Sequence, residues 1–226
     1  MEKTICRQCT IMSNVAQKLN EKEICELQNN CAEVHFKAGD IIVKQDALST
    51  NVVYIKSGLV KIHIKGPTRE RIRRISMAPA YLCLPSSLGD KVNHFSATAI
   101  EDTTVCFIDV NIFRKFIYEN GDFAYQIILE MSKSELQNIR NCLNNTQKQN
   151  SGKIADAILF FANDIYHSNE FTLPVSRQDI AEMTGITRES VCRILTDFNK
   201  EQIIEMDSKK IRIVNEKLLR QISEKG

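Results

Sequence analysis

No stretch of this 226-residue sequence approaches the roughly 18 consecutive apolar residues needed to cross a bilayer, which excludes an integral membrane protein. The opening residues, Met-Glu-Lys-Thr-Ile-Cys, turn polar again at once and hold no apolar core of a secretion signal, so the expected location is the cytoplasm, with no membrane partner. Charge of one sign is also lacking. The net charge is +2; residues 151–226 carry 11 basic and 12 acidic side chains, the first 150 residues 19 and 16. Any nucleic-acid binding must therefore come from where charges are placed, not from their excess. No internal repeat or low-complexity tract stands out. Hydrophobic and charged fractions of 43% and 26% exclude general disorder, and the length suits one large domain or two small ones.

There are eight cysteines, at 6, 9, 25, 31, 83, 106, 142 and 192. Without a secretion signal they are expected as free, buried or metal-bound thiols, not as a disulfide framework.

Residues 32–108 read as many short strands. Val60, Ile62 and Ile64 alternate with Lys61, His63 and Lys65, the period of a strand with one buried face. Val52 to Ile55 runs into Lys56-Ser57-Gly58, and Gly58 can take a positive φ, so 52–65 reads as a hairpin whose second arm ends at Gly66-Pro67. Residues 37–40 form a turn before a strand at 41–43, and further strands are expected at 70–76, 94–100 and 104–109. This spacing suggests a small barrel or jelly roll.

After Asp109, a candidate cap for a helix over 111–119, the period lengthens. A second helix restarts at Gly121-Asp122. Tyr125, Leu129, Ser132, Leu136, Ile139, Leu143 and Thr146 step by four and three, a heptad seam that predicts a parallel dimer helix. Ile127, Ile128 and Met131 offer a second stripe for packing on the helix's own domain. Residues 144–152 contain no hydrophobic residue and are the expected hinge. Ile154, Ala155, Ile158, Leu159 and Ala162 mark another amphipathic helix.

Residues 174–206 carry the function. Ser176 and Asp179 resemble a capping box before an apolar-periodic stretch, Gly185 ends that helix, and Thr187 caps the next. Two helices around a glycine turn make a helix-turn-helix. Arg188, Glu189 and Arg193 fall on the side of the second helix opposite Val191, Ile194 and Leu195, where base edges are read. Arginine pairs with guanine in two hydrogen bonds, and glutamate accepts from cytosine. Solvated charges on a helical hairpin are the plainer alternative, but they leave the next segment unexplained. Residues 203–206, Asp207-Ser208 and 209–214 read as a hairpin with a basic second arm, a wing suited to phosphates.

The stretch Val175-Ser-Arg-Gln-Asp-Ile-Ala-Glu-Met-Thr-Gly-Ile-Thr-Arg-Glu-Ser-Val-Cys-Arg-Ile-Leu195 closely resembles the winged helix of the CRP/FNR regulators, the cyclic-AMP receptor and fumarate-nitrate-reduction family. The resemblance runs over nearly the whole chain and implies an α+β architecture: a double-stranded β-helix, or β-roll, sensor like that of cyclic-nucleotide-binding domains over 1–120, a dimerisation helix and hinge over 121–148, and a winged helix-turn-helix over 149–226. It places the base-reading role on Arg188, Glu189 and Arg193, and phosphate contacts on Ser176, Arg177, Gln178, Thr187, Ser190 and Lys209. It implies a homodimer on an inverted repeat with TGTGA-like half-sites, RNA polymerase as partner, and no enzymatic activity.

The resemblance also tests effectors. The cyclic-AMP branch holds its nucleotide with a Glu and an Arg, and the matching stretches here are Cys83-Leu84-Pro85-Ser86 and Phe95-Ser96-Ala97, which have neither. A cyclic phosphate would lie there unpaired, so cyclic AMP is not the expected ligand. The oxygen-sensing branch holds an iron–sulfur cluster. Cys6, Cys9 and Cys106 match three of its ligands, but the fourth falls near Val15, where there is no thiol. Haem, present in some members, finds no paired histidines among 35, 63, 94 and 167. The cofactor stays unidentified, with a redox, gas or metal sensor using haem or Cys-ligated iron as the alternative. A cupin-like protein acting on a protein partner would need clustered histidines, and His63 stands alone on its strand.

Overall fold

A computed structural model describes residues 12–82 and 84–226, so Cys6, Cys9 and Cys83 lie outside the described residues. The chain forms two compact units. One runs to Leu136, and the other comprises Gln137–Gly226 together with Glu70–Ile72. Among the described residues no helix is long and apolar enough to cross a membrane.

The first unit opens with α1 (Glu21–Asn29), started by a capping box in which Asn20 and Glu23 exchange side-chain and backbone hydrogen bonds. Eight strands follow: β1 (Cys31–Phe36), β2 (Ile41–Val43), β3 (Asn51–Ser57), β4 (Leu59–Lys65), β5 (Glu70–Met77), β6 (Ala80–Leu82), β7 (Ser96–Ala99) and β8 (Thr103–Asp109). They build two four-stranded sheets, ordered β1-β8-β3-β6 and β2-β7-β4-β5. Residues 84–88 form a short helix, α2. Between the sheets lies an apolar core that includes Val53, Ile55, Val60, Ile62, Ala97 and Val105. The other face of the first sheet, through Val52, Tyr54 and Ile108, packs with Phe113, Phe116 and Phe123 of the helices. β3 is thus buried on both faces, which explains its unbroken run Val52–Ile55.

The expected hairpin over 52–65 does not form. β3 pairs with β6 and β8, whereas β4 belongs to the other sheet. Gly58 (φ +97°) turns a corner from sheet to sheet, and a Cβ there would lie 2.8 Å from the Thr103 Cα. A tight turn and a sheet corner place the same demand on glycine, so the residue alone cannot separate them. Gly66-Pro67 instead lies on the way from β4 to its neighbour β5.

Asp109 caps α3 (Val110–Glu119) by accepting from the backbone N–H groups of Asn111 and Ile112. The helix α4 (Gly121–Gln147) buries Phe123 and Ile127. Ile128 and Met131, expected on that inward stripe, are 58% and 37% exposed. Each residue turns the helix by about 100°, so Ile128 leaves the face of Ile127 and joins that of Tyr125. Tyr125, Leu136, Ile139 and Leu143 are exposed large hydrophobics; Ser132 is exposed and Leu129 half-buried.

The expected hinge is mostly helical. Only Lys148 and Gln149 separate α4 from α5 (Asn150–Phe160), because polar residues at 144–147 continue the backbone ladder of α4. In the second unit, a π-helical turn (Phe161–Ile165) leads to β9 (Glu170–Thr172). α6 (Arg177–Thr184), α7 (Arg188–Lys200), β10 (Ile204–Asp207), β11 (Lys210–Ile213) and α8 (Glu216–Lys225) complete it. Its core includes Ile154, Phe161, Leu173, Leu195, Ile203 and Leu219.

Candidate nucleic-acid interface

The pair α6–α7 is fixed at each end by local chemistry. Ser176 accepts from the Asp179 backbone N–H at 3.0 Å, while the Asp179 carboxylate accepts from the Ser176 backbone N–H at 2.8 Å. Caps of this kind are worth about 1 kcal/mol each. Gly185 closes α6 at φ +75°, a conformation a side chain resists. Thr187 then caps α7 by accepting from the Ser190 N–H at 3.2 Å, and its hydroxyl lies 3.1 Å from the Ser190 Oγ.

α7 is held by one face. Val191, Ile194, Leu195 and Phe198 are buried, and together they anchor the helix by several kcal/mol of apolar burial, at ~1.5–3 kcal/mol each. Arg188, Glu189 and Arg193 are exposed, with Glu189 and Arg193 four residues apart on one face. The Glu189 carboxyl is held below the usual carboxylate range by its own backbone N–H, by the Thr187 hydroxyl and by the Arg188 charge. At neutral pH it is an anion that can only accept hydrogen bonds.

The wing differs from its expected form. A third strand, β9, pairs with β11 and sets Phe171 opposite Ile211. The basic arm is largely neutralised. Lys210 is ion-paired with Glu170, and Arg212 with Glu205, its direct partner across β10–β11. The Lys210 hydrogen bond lowers the Glu170 pKa, and the Glu205 bond raises that of Arg212. Lys209, at the turn, is exposed and joins no ion pair among the described residues. Arg177 does not point outward either. It donates to the Met206 Sδ at 2.9 Å and to the Ser208 carbonyl at 2.8 Å, tying α6 to the wing, and burial pushes its pKa down. Gln178 donates to Glu182 at 2.9 Å. Sequence reasoning missed Glu170 and Glu205: the first lies on β9, which has no strong local signal, and the second faces Arg212 only in the register that the β10–β11 hairpin adopts.

In the sensor unit, Leu84 and Phe95, singled out for an effector, divide between two apolar clusters. Leu84 packs in the core that also holds Phe113, whereas Phe95 packs against the inter-sheet core. Pro85 is exposed, and Ser96 Oγ accepts from the Gln45 backbone N–H at 3.0 Å. Ser86 is buried with its hydroxyl unpartnered. Cys106 is half-buried on β8, packed against the helical core. Among the described residues, no three His, Cys, Asp or Glu side chains form a group fit to hold a metal ion.

Two family descriptions match. Residues 33–120 match the cyclic nucleotide-binding domain and residues 152–222 the Crp-like helix-turn-helix domain, together more than half of the chain. The nitrogen fixation regulation protein FixK of Bradyrhizobium diazoefficiens is 27% identical over 206 residues, covering 88% of this chain and 85% of that protein. The fumarate and nitrate reduction regulatory protein of Vibrio cholerae is 26% identical over 225 residues, covering 93% and 86%. Among solved structures, FixK2 from Bradyrhizobium japonicum shares the fold with a TM-score of 0.77 at 18% identity, over 85% of this chain and 96% of that one. A CRP-family transcriptional regulator from Thermus thermophilus does so at 0.73 and 17%, over 84% and 96%.

Proposed function

Since the chain belongs to the CRP/FNR family of DNA-binding transcription regulators, which are not enzymes, we propose that it binds an inverted-repeat operator with TGTGA-like half-sites as a homodimer. In this reading residues 1–120 form the sensor, 121–148 the dimerisation helix and 149–226 the DNA-binding domain. Arg188, Glu189 and Arg193 read bases. Ser176, Gln178, Thr187, Ser190 and Lys209 contact phosphates, joined by Arg177 if it leaves the wing. RNA polymerase is the downstream partner. The supporting observation is the exposed face of α7: three side chains able to read bases, on a helix whose opposite face is locked in the core.

The sensor is of the cyclic-nucleotide-binding type and takes an effector other than cyclic AMP. The stretches that match the nucleotide-holding ones, 83–86 and 95–97, have neither the Glu nor the Arg; Leu84 is buried in an apolar core and Phe95 packs against another. A phosphate placed there would stay unpaired, at a cost of roughly several kcal/mol. Fluorescence anisotropy with the inverted repeat and with a scrambled duplex, each with and without cyclic AMP, tests both statements. The expected result is retention of the repeat alone, unchanged by cyclic AMP. Equal binding to both duplexes would sink the base-reading assignment, and a cyclic-AMP-dependent rise would sink the sensor assignment. A Cys-ligated iron cluster is the second reading of the sensor; it rests on the Cys6-x-x-Cys9 spacing and on Cys106, and the visible spectrum of anaerobically purified protein separates it from haem and from a colourless effector.

A further inference from the structure

The outward face of the β1-β8-β3-β6 sheet holds a small cavity of about 50 Å³, whose lining includes Met12, Cys31, Tyr54, Lys56 and Cys106. The register places two cysteines on that wall, where the Cys31 thiol donates to the Gln28 carbonyl at 3.8 Å. β1 and β8 pair antiparallel with Cys31 opposite Ile108 and Glu33 opposite Cys106. Cys31 and Glu33 point to the same side, so Cys31 and Cys106 are diagonal neighbours on one face. Met12, just before α1, adds a thioether.

Size and chemistry together narrow the occupant. An apolar cavity that binds benzene measures about 150 Å³, so this one is too small for an aromatic ligand, yet larger than the roughly 15 Å³ that a water needs. Its walls are mainly apolar, which disfavours a hydrated or oxygen-seeking cation. Two thiols and a thioether are soft donors of the kind that select copper(I). Zinc takes four ligands from cysteine, histidine or carboxylate, and no such group exists among the described residues.

We propose that Cys31, Cys106 and Met12 form a three-sulfur site for a thiophilic monovalent d¹⁰ cation, copper(I). On binding, the ion replaces two thiol protons, which pass to solvent, and the dithiolate complex carries a charge of −1. Lys56 lies on the same wall, where it is ion-paired with Glu33. No electron is transferred. The ion joins the segment before α1 to both β1 and β8, and so stiffens the sensor. The site is independent of the operator reading, and it does not use the N-terminal cysteine pair that an iron cluster would need.

The test uses the full chain carrying Cys6→Ser and Cys9→Ser, kept anaerobic and titrated with copper(I) against a chromophoric copper(I) chelator. The site predicts one tightly held ion per chain. Affinity should fall about hundredfold or more on adding Cys31→Ser or Cys106→Ser, and about tenfold with Met12→Leu. Cys25→Ser, at an exposed position on α1, should leave it unchanged. Below the thiol pKa values, displacement of two protons makes the affinity rise about hundredfold per pH unit. X-ray absorption on the Cys6→Ser, Cys9→Ser protein should show three sulfur neighbours, a reading that does not depend on how the further variants fold. Failure of that protein to retain copper, a coordination shell without three sulfurs, or equal retention after Cys31→Ser and Cys106→Ser would overturn the proposal.

Discussion

Arg193 leaves α7 one helical turn beyond Glu189, on the face turned away from Val191 and Leu195. A side chain so placed can reach a base edge without unpacking the helix. Arg193→Ala should therefore leave thermal stability nearly unchanged while weakening cognate DNA by roughly 1–3 kcal/mol per half-site, with relaxed preference at one base pair. Anisotropy on a panel of single-base operator variants checks this; equal loss on scrambled DNA would mean that Arg193 reads no base. Lys209 sits exposed at the wing turn. Lys209→Ala should weaken all sequences alike and reduce the salt slope by about one per subunit, because a phosphate contact releases a counterion. Titrations at three salt concentrations separate that outcome from an unchanged slope.

Among the elements, the corner between β3 and β4 is sensitive to a single methyl group. An alanine at Gly58 would need φ near +97° and would bring its Cβ within 2.4 Å of Thr103 Oγ1 and 2.9 Å of the Asp102 carbonyl. The backbone strain alone costs about 1–3 kcal/mol, and the close contacts with Thr103 and Asp102 add to it. Denaturant unfolding of Gly58→Ala should show a lower midpoint, and an unchanged midpoint would mean that the corner relaxes freely. The same corner shows where a sequence stops being legible. Alternation reveals which residues of β4 are buried, and the apolar run at 52–55 reveals a strand, but neither says which sheet each joins. Capping residues were legible because their signal is local: Asp109, Ser176 with Asp179, and Thr187 each start the helix that follows. β9 spans three residues and carries no strong local mark, whereas α8 begins at an Asn215 cap that accepts from the Leu218 backbone N–H, a local signal that the sequence reading passed over. On the candidate interface, the outward side of α7 was legible from its 3.6-residue period. The fate of Arg177 and Lys210 was not, because their partners are distant in sequence or lie on an unrecognised strand, and that of Arg212 was not because the hairpin turns one residue later than expected, which sets Glu205 opposite it.

For the whole molecule, the exposed row Tyr125, Ile128, Leu136, Ile139 and Leu143 on α4 is a surface that a second copy can cover. Placing glutamates at Leu136 and Ile139 sets like charges against each other across such a seam. Light scattering should give the mass of a dimer for the parent chain and of a monomer for the Leu136→Glu, Ile139→Glu variant; a dimeric variant would remove this seam from consideration. The same variant should lose affinity for an inverted repeat whose half-sites lie about 34 Å apart, while keeping the weak binding of a single half-site.

The ion pairs inside the wing bear on how such a protein finds its target in a cell. Most of a chromosome is decoy, and a regulator with many unengaged cations is held on it almost everywhere. Here Lys210 and Arg212 are already occupied by carboxylates of their own sheet. Lys209 is left as the uncommitted cation of the turn. Less of the population is then sequestered on random sequence, and more diffuses in three dimensions between encounters. DNA occupancy should be correspondingly less sensitive to swings in salt concentration, because fewer counterions change places when the protein lands.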